Sequence, residues 1–319
     1  MESGHTDTLF MNDCQRSELI RLCPNIRWNV DMATYSTFRA GGTVEALVDI
    51  NAIDKLKAVL RYLHAQQIPW NIVGGGSNIL VSRRCHVGVF IRLRSSIREI
   101  TRRPLVTAAG ERCCLRVHAG CTLASLIGWC IHNNVSGLEF MAGIPGSVGG
   151  AIRMNAGAFG HAIGEVLSSV QIMDGLGNVE EVPREKVSFT YRSSRFPGEP
   201  ADKVLITSGE FCLQPADGRE VARRCREIIG LRRGSQPKGV GSAGSFFKNP
   251  EGDFAGRLIE QAGLKGLRIG RAMVSVKHAN FIVNTGGAAP DDIIRLMEEV
   301  QRHVLQHSGV LLEPEVHIY

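Results

Sequence analysis

Aromatic side chains make up only 6% of this 319-residue chain. A protein that binds single-stranded nucleic acid by stacking bases on successive rings has little material for it here. The nine cysteines are odd in number and contain no Cys-x-x-Cys. Neither a disulfide framework nor a zinc site is indicated, and buried thiols in a reducing cytoplasm fit better. No membrane span is written either. The longest uncharged run, Val117 to Leu138, is interrupted by His118, His132, Asn133 and Asn134, and its apolar centre, Leu123 to Ile131, reads as a core helix. The first residues, MESGHTDTLFMNDC, lack a basic stretch followed by an apolar one, so no secretion is expected. Two nucleotide signatures are missing as well. Ile79 breaks the Gly-x-Gly-x-x-Gly register after the first glycine run, and no Gly-x-x-x-x-Gly-Lys-Ser/Thr occurs. Gly146-Ser147-Val148-Gly149 and Gly241-Ser242-Ala243-Gly244 both miss the Gly-x-Ser-x-Gly elbow of serine hydrolases.

What is present is a globular composition: 44% hydrophobic, 21% charged and 36 glycines. The length predicts two or three domains. The formal charge of +6 raises the question of an anionic partner. The arginines are dispersed, at 92, 94, 98, 102 and 103 and again at 223, 224, 226, 232 and 233. That favours solvated faces and a small anionic ligand over a nucleic-acid surface, which wants one continuous basic stripe.

Periodicity predicts a short helix around Leu19, Ile20 and Leu22 within an N-terminal extension, residues 1–34. A strand over Glu45–Ile50, a helix carrying Ile53, Leu56, Val59, Leu60 and Leu63, and a strand entering the glycines from Trp70 follow. The middle third predicts strands over 87–93, 105–108, 114–119, 169–174 and 179–182, with Asp174–Asn178 as hairpin turn chemistry. A loop near Pro215 and a helix over 219–233 place the last boundary. Beyond it come a helix over 254–262, a strand over 281–284, a helix over 290–307 with Pro290, Asp291 and Asp292 in its first turn, and a strand over 310–318. The expected domains are thus 35–215, in subdomains of about 35–95 and 96–215, and 216–319.

Two glycine runs stand out. Gly74, Gly75 and Gly76 with Ser77 and Asn78 follow a strand and let backbone N–H groups approach an anion, although a tight turn has the same composition. Gly143, Ile144, Pro145, Gly146, Ser147, Gly149 and Gly150 make a surface almost free of side chains. The two together suggest a clamp on one extended nucleotide. Tyr191-Arg192, Ser245 with Lys248 and Asn249, and Glu315 are each weak signals alone, since an ion pair, a turn cap or an edge charge would explain them.

The motifs FRAGG (38–42), GGGSNIL (74–80), GLEFMAGIPGSVGGAIRMNAGAFG (137–160), YRSSRF (191–196), GSFFKNP (244–250), KHANFIVN (277–284) and LEPEV (312–316) occur in this order. Together they strongly resemble the UDP-N-acetylenolpyruvoylglucosamine reductase family, from about Tyr35 to the C-terminus. The resemblance implies an α+β chain: a two-subdomain FAD-binding fold of the vanillyl-alcohol-oxidase (PCMH) type, plus a C-terminal α+β substrate-binding domain. It implies non-covalent FAD held by the two glycine runs, NADPH as reductant, and reduction of an enolpyruvyl nucleotide to UDP-N-acetylmuramate for peptidoglycan. Arg192 and Glu315 would stabilise the enolate, and Ser245 would protonate carbon. Tyr191, Lys248, Asn249, Lys265 and His278 would contact substrate. The stretch between Arg192 and Ser245 resembles the shorter subgroup without a tyrosine lid, His278 stands where the longer one has Gln, and Ser235 replaces a more usual basic residue before Gln236-Pro237. Partners would be small molecules, not nucleic acid or membrane, and the expected state is a cytoplasmic monomer. An oxygen-using flavin oxidase of the same fold, with Cys85 and His86 near but out of register for covalent attachment, is one alternative. A non-enzymatic flavin- or nucleotide-binding protein is the other.

Overall fold

The computed structural model describes residues 10–82, 85–95, 99–107, 110–197 and 204–319. Arg98, Ala108 and the first nine residues, all named in the expectations above, lie outside the described residues.

Around the first sheet, strands Arg27–Asp31, Thr43–Ile50, Cys85–Leu93 and Trp70–Val73 lie side by side in that order. The first pair is antiparallel and the other two pairs are parallel. Thr43–Ile50 is buried along nearly its whole length, as a parallel strand covered on both faces should be. Helices α1 (Asp13–Leu22) and α2 (Ile53–Ala65) cover one face. In α2, Leu56, Val59, Leu60 and Leu63 recur at helical spacing and are fully buried, matching the expectation. The other face carries Val30, Met32, Leu47, Val73 and Phe90.

Residues 1–34 were expected to form an extension, but from Met11 onward they are part of this unit. Met11, Leu19 and Cys23 enter its core, and Arg27–Asp31 adds a strand to its sheet. A buried carboxylate explains the attachment. Glu45 is 0% exposed and accepts the backbone N–H of Met11 at 2.7 Å and of Gly88 at 3.0 Å, with Arg16 at 3.3 Å. Without the N-terminal segment, one carboxylate oxygen would be buried without its donors.

The second unit is an antiparallel sheet ordered Val179–Pro183, Leu167–Met173, Leu205–Pro215, Gly110–His118, Thr101–Thr107. Its central strand, Leu205–Pro215, was not anticipated. The Asp174–Asn178 turn is as expected, Asp174 accepting the N–H groups of Leu176 at 2.9 Å and Asn178 at 2.8 Å. Helices α3 (Leu123–His132) and α4 (Val148–Arg153) pack on this sheet's core. So does α5 (Gly218–Ser235), through Val221 and Cys225. The sequence reading gave this helix to the last domain; its apolar stripe belongs to the middle core, and we propose the boundary after it, near Gln236.

The third core surrounds a sheet ordered Gly241–Ser242, Ile282–Asn284, Ala272–Val274, Arg268–Ile269, with α6 (Ala255–Gln261) and α7 (Pro290–Ser308). Helix α7 starts at Pro290 and stops at Gly309, in left-handed geometry at φ 73°. The strand expected over 310–318 is only His317–Ile318, paired in parallel with Ile79–Leu80 of the first unit. Pro314, with no N–H to donate, limits the preceding stretch to a single bridge with Phe247.

Gly88 occupies the bulge where the register of the parallel ladder shifts. Its φ is 97°, and a Cβ there would stand 2.2 Å from the Pro69 carbonyl oxygen. Gly88→Ala should therefore cost about 3 kcal/mol or more, combining left-handed strain with overpacking. Chemical denaturation, read by far-UV circular dichroism, checks this; an unchanged midpoint would show that the bulge relaxes freely.

Candidate functional site

The first glycine run, residues 74–78, leaves the strand Trp70–Val73 and meets the second run, which opens α4. The contact is backbone on backbone: a Cβ on Gly75 would lie 2.8 Å from Gly146 Cα, and one on Gly74 would lie 2.6 Å from Ser147 Oγ. Ser77 Oγ donates to the Pro145 carbonyl at 3.2 Å. Ser147 caps α4 by accepting the Gly150 N–H at 3.3 Å.

The amide inventory divides the second run in two. The N–H groups of Val148 and Gly149 donate to the carbonyls of Cys121 and Ala119, both at 2.9 Å, and that of Gly150 to Ser147. They are spent inside the protein. The amides of Gly75, Gly76, Ser77, Gly146 and Ser147 make no hydrogen bond to another described residue, although Gly76 and Ser147 are buried. Buried backbone donors are almost always paired. A set of unspent N–H groups on two touching, side-chain-poor loops fits an extended anionic cofactor such as the pyrophosphate of FAD. The close approach also limits the expectation: Gly149 and Gly150 shape the loop and do not offer donors to it.

Arg192, Ser245 and Glu315, far apart in sequence, come together beside these loops. Arg192 sits in the two-residue turn between strands Ser188–Thr190 and Ser193–Arg195, with φ 57°. Its Nε lies 2.9 Å from Glu315 Oε1, and its Nη1 donates to the Gly157 carbonyl at 3.1 Å. Glu315 is held from two sides. Its N–H donates to the Phe246 carbonyl at 2.8 Å, and its own carbonyl accepts from Asn78 Nδ2 at 2.9 Å. Asn78 thus anchors the catalytic candidate to the first glycine run. The Glu315–Phe246 bond also brings the backbone at Ser245, one residue before Phe246, close to the backbone of Glu315. The Ser245 hydroxyl makes no hydrogen bond to another described residue, so it caps no turn.

Only 12% of the Glu315 side chain is exposed, and Oε2 is buried without a hydrogen-bond partner. Burial pushes its carboxyl above the ordinary 4.5, against the downward pull of the Arg192 guanidinium.

The expected substrate residues are more committed. Lys248 pairs with Glu313 at 2.7 Å and Lys265 with Glu260 at 2.5 Å, so neither is a free cation. Asn249 spends its carboxamide oxygen on the Ala255 N–H at 3.1 Å, and its N–H donates to the Tyr191 hydroxyl at 3.4 Å. Tyr191 is half exposed, under the Arg192 guanidinium. His278 lies beside Phe281 and Gly256, its pKa lowered by burial and also by the charge of nearby Lys265. One cation that the sequence did not single out is nearby: Arg232, in the last turn of α5, with Nε and Nη2 buried and unpartnered. In the sequence it is one of a pair of helix-end arginines, and only its burial distinguishes it.

Known proteins resemble this chain over most of its length. Residues 236–319 match the family model described as UDP-N-acetylenolpyruvoylglucosamine reductase, C-terminal domain, and residues 44–183 match the one described as FAD binding domain. The UDP-N-acetylenolpyruvoylglucosamine reductase of Carboxydothermus hydrogenoformans is 40% identical over 298 residues, 93% of this chain and 95% of that protein. That of Syntrophus aciditrophicus is 38% identical over 286 residues, 89% of this chain and 88% of the relative. The crystal structure of the Thermus caldophilus enzyme superposes with a TM-score of 0.76 at 34% identity, covering 92% of this chain and 99% of that one.

The raised carboxyl of Glu315 makes a signed prediction. The folded state holds this proton more tightly than the unfolded chain, so the group's stabilising contribution is complete below pH 4.5 and is lost as pH rises through the raised folded value. Glu315→Gln should remove that component. The difference in urea midpoint, wild type minus variant, should fall as pH increases from 4.5 upward; a flat difference would show that Arg192 cancels the cost of burial.

Proposed function

The chain belongs to the UDP-N-acetylenolpyruvoylglucosamine reductase family, and from that premise we propose that it reduces UDP-N-acetylglucosamine enolpyruvate to UDP-N-acetylmuramate, with NADPH as the electron source, in peptidoglycan precursor synthesis. It is an oxidoreductase with an FAD-binding domain. The observation that carries the specific reading is the buried Arg192–Glu315 pair, tied by backbone bonds to the segment of Ser245, whose hydroxyl has no hydrogen-bond partner among the described residues, and to the first glycine loop through Asn78.

FAD, when bound, supplies two-electron transfer as hydride between NADPH and the enolpyruvyl group. The residues of the chain then have three tasks. The unspent N–H groups of residues 75–77 and 146–147 hold the cofactor's negative charge without side chains in the way. Arg192 offers a planar fork to the substrate carboxylate, onto which negative charge moves as the enolpyruvyl double bond is reduced. Glu315 holds that guanidinium by charge, its Oε1 standing 2.9 Å from Nε without hydrogen-bond geometry, and its raised carboxyl carries a proton more readily than an exposed glutamate, so Oε2 can donate to the same developing charge. Ser245 delivers the proton to carbon. A serine hydroxyl is a weak acid, and its rate depends on being placed at the acceptor carbon while the neighbouring charges stabilise the enolate. Tyr191, Lys248, Asn249, Lys265 and His278 remain our candidates for the nucleotide and sugar. Lys248 and Lys265 would exchange exposed carboxylate partners for substrate, at little cost because exposed pairs are weak.

An FAD oxidase of related fold would take electrons from an alcohol or sugar and use oxygen; a non-enzymatic binder would do neither half-reaction. Stopped-flow absorbance under nitrogen separates the readings: the reductase is bleached by NADPH and regains its colour with the enolpyruvyl nucleotide. Ser245→Ala should slow recovery by about 10²- to 10⁴-fold while leaving flavin content and bleaching near wild type. Recovery at the wild-type rate removes Ser245 from the mechanism. Arg192→Lys keeps charge but loses the fork, and should cost about 3 kcal/mol in the same step. Equal damage to both half-reactions would instead make Arg192 a support for the flavin site.

A further inference from the structure

Arg232 is placed unlike the other arginines of α5. Arg223 pairs with Glu220 and Glu227, and Arg224 with Glu220 and Glu139. Arg232 has no carboxylate partner among the described residues, yet its Nε and Nη2 are shut away from water. Its stem lies where Gly143 has no side chain: a Cβ on Gly143 would stand 3.2 Å from Arg232 Cδ. Its guanidinium carbon lies 5.5 Å from the centre of the Phe159 ring. Phe159 belongs to the hairpin whose Gly157 carbonyl accepts from Arg192, so the two guanidiniums flank one short hairpin. Glu315 is already paired with Arg192. Burial and the like charge of Arg192 both press the Arg232 pKa downward.

A buried cation without a counterion is among the most costly arrangements a protein can hold. The two unpartnered nitrogens share one edge of the guanidinium, the side-on fork that matches two oxygens of a phosphate or carboxylate. The aromatic ring and the bare backbone of Gly143 hold that edge in place. We propose that Arg232 is a ligand-binding residue whose side-on fork takes up an oxyanion brought by a nucleotide, either the pyrophosphate of FAD or an anionic group of the enolpyruvyl nucleotide. This rests on the reading of the cleft as a nucleotide site.

The test uses purified holoprotein and two variants. Arg232→Met keeps an unbranched stem against Phe159 and removes the fork; Arg232→Lys keeps the charge without the fork. Dissociation constants are measured for FAD by flavin fluorescence on dilution, and for the enolpyruvyl nucleotide and inorganic pyrophosphate by flavin difference absorbance. Arg232→Met should weaken one of these ligands about ten- to hundredfold, with Arg232→Lys intermediate. A loss confined to FAD assigns the oxyanion to its pyrophosphate; unchanged FAD with a weaker nucleotide assigns it to the substrate. With the flavin removed, the melting midpoint of Arg232→Met should equal or exceed that of wild type, because a desolvated unpaired charge has gone. Wild-type affinity for all three ligands overturns the proposal, and so does a lowered midpoint with normal affinities where the variant is fully folded. These are binding measurements. A protein that binds through Arg232 but never reduces the enolpyruvyl group would sink the reductase reading and leave this one standing.

Discussion

Everything in the site depends on two stretches of backbone touching where neither has a side chain. Gly75 and Gly146 leave no room between them for one methyl group. One loop ends a strand of the first sheet and the other opens a helix on the second, so their contact joins the two units mostly through main chain, with the Ser77 hydroxyl adding its bond to the Pro145 carbonyl. The same first loop reaches the third core, because Asn78 donates to the Glu315 carbonyl and accepts the His317 N–H at 3.0 Å. A side chain placed between the loops would therefore disturb both the unspent amides and the seat of Glu315, since one segment positions both.

That geometry sets the electrostatics. On exposed helix faces this chain pairs its arginines locally, as Arg302 does with Glu299 and Arg223 with Glu220, and such pairs contribute little to stability. At the cleft the balance differs. Arg192 is paired with a carboxylate that burial raises toward its neutral form, and Arg232, close enough to feel the charge of Arg192, has no carboxylate partner among the described residues. The local charge is positive beside loops whose amides of residues 75–77 and 146–147 have no hydrogen-bond partner among the described residues. The formal +6 of the whole chain could not show this, because most of it is spread over solvated surfaces.

The parts legible in the sequence are those fixed by local rules. The helical spacing of Leu56, Val59, Leu60 and Leu63, the turn at Asp174–Asn178 and the Pro290 start of α7 all depend on neighbours within a few residues. What stayed hidden depends on distant partners. The segment after Met11 looks like an appendage until Glu45, a glutamate inside an apolar strand, is seen to need its donors. Helix α5 has an apolar stripe but no local mark of which core it faces. Leu205–Pro215 has Thr207, Ser208 and Glu210 amid its apolar residues, and it is a central strand because neighbours on both sides satisfy it: Thr207 Oγ1 donates to the Gln171 carbonyl at 3.1 Å, and Glu210 pairs with Arg103 and Arg116. The motifs of the site were readable as a set, whereas Arg232 was not, because a guanidinium in a helix-end pair carries no sequence mark of burial.

The turn that carries Arg192 shows the direction in which such a site was built. A two-residue hairpin loop favours Asn-Gly or a similar pair, which enters left-handed geometry cheaply. Here the loop is Tyr191-Arg192, with Arg192 left-handed at φ 57°. Strain of this kind costs of order 1–2 kcal/mol for a residue with a Cβ. Nothing in the hairpin itself calls for arginine, since a glycine would make the same turn with less strain. What the arginine gains is outside the turn, in the Gly157 carbonyl and the Glu315 carboxylate that hold its fork in the cleft. Local conformational preference has been given up at the one position where a rigid, oriented guanidinium matters most, a pattern expected where strain serves a binding or catalytic site rather than the fold.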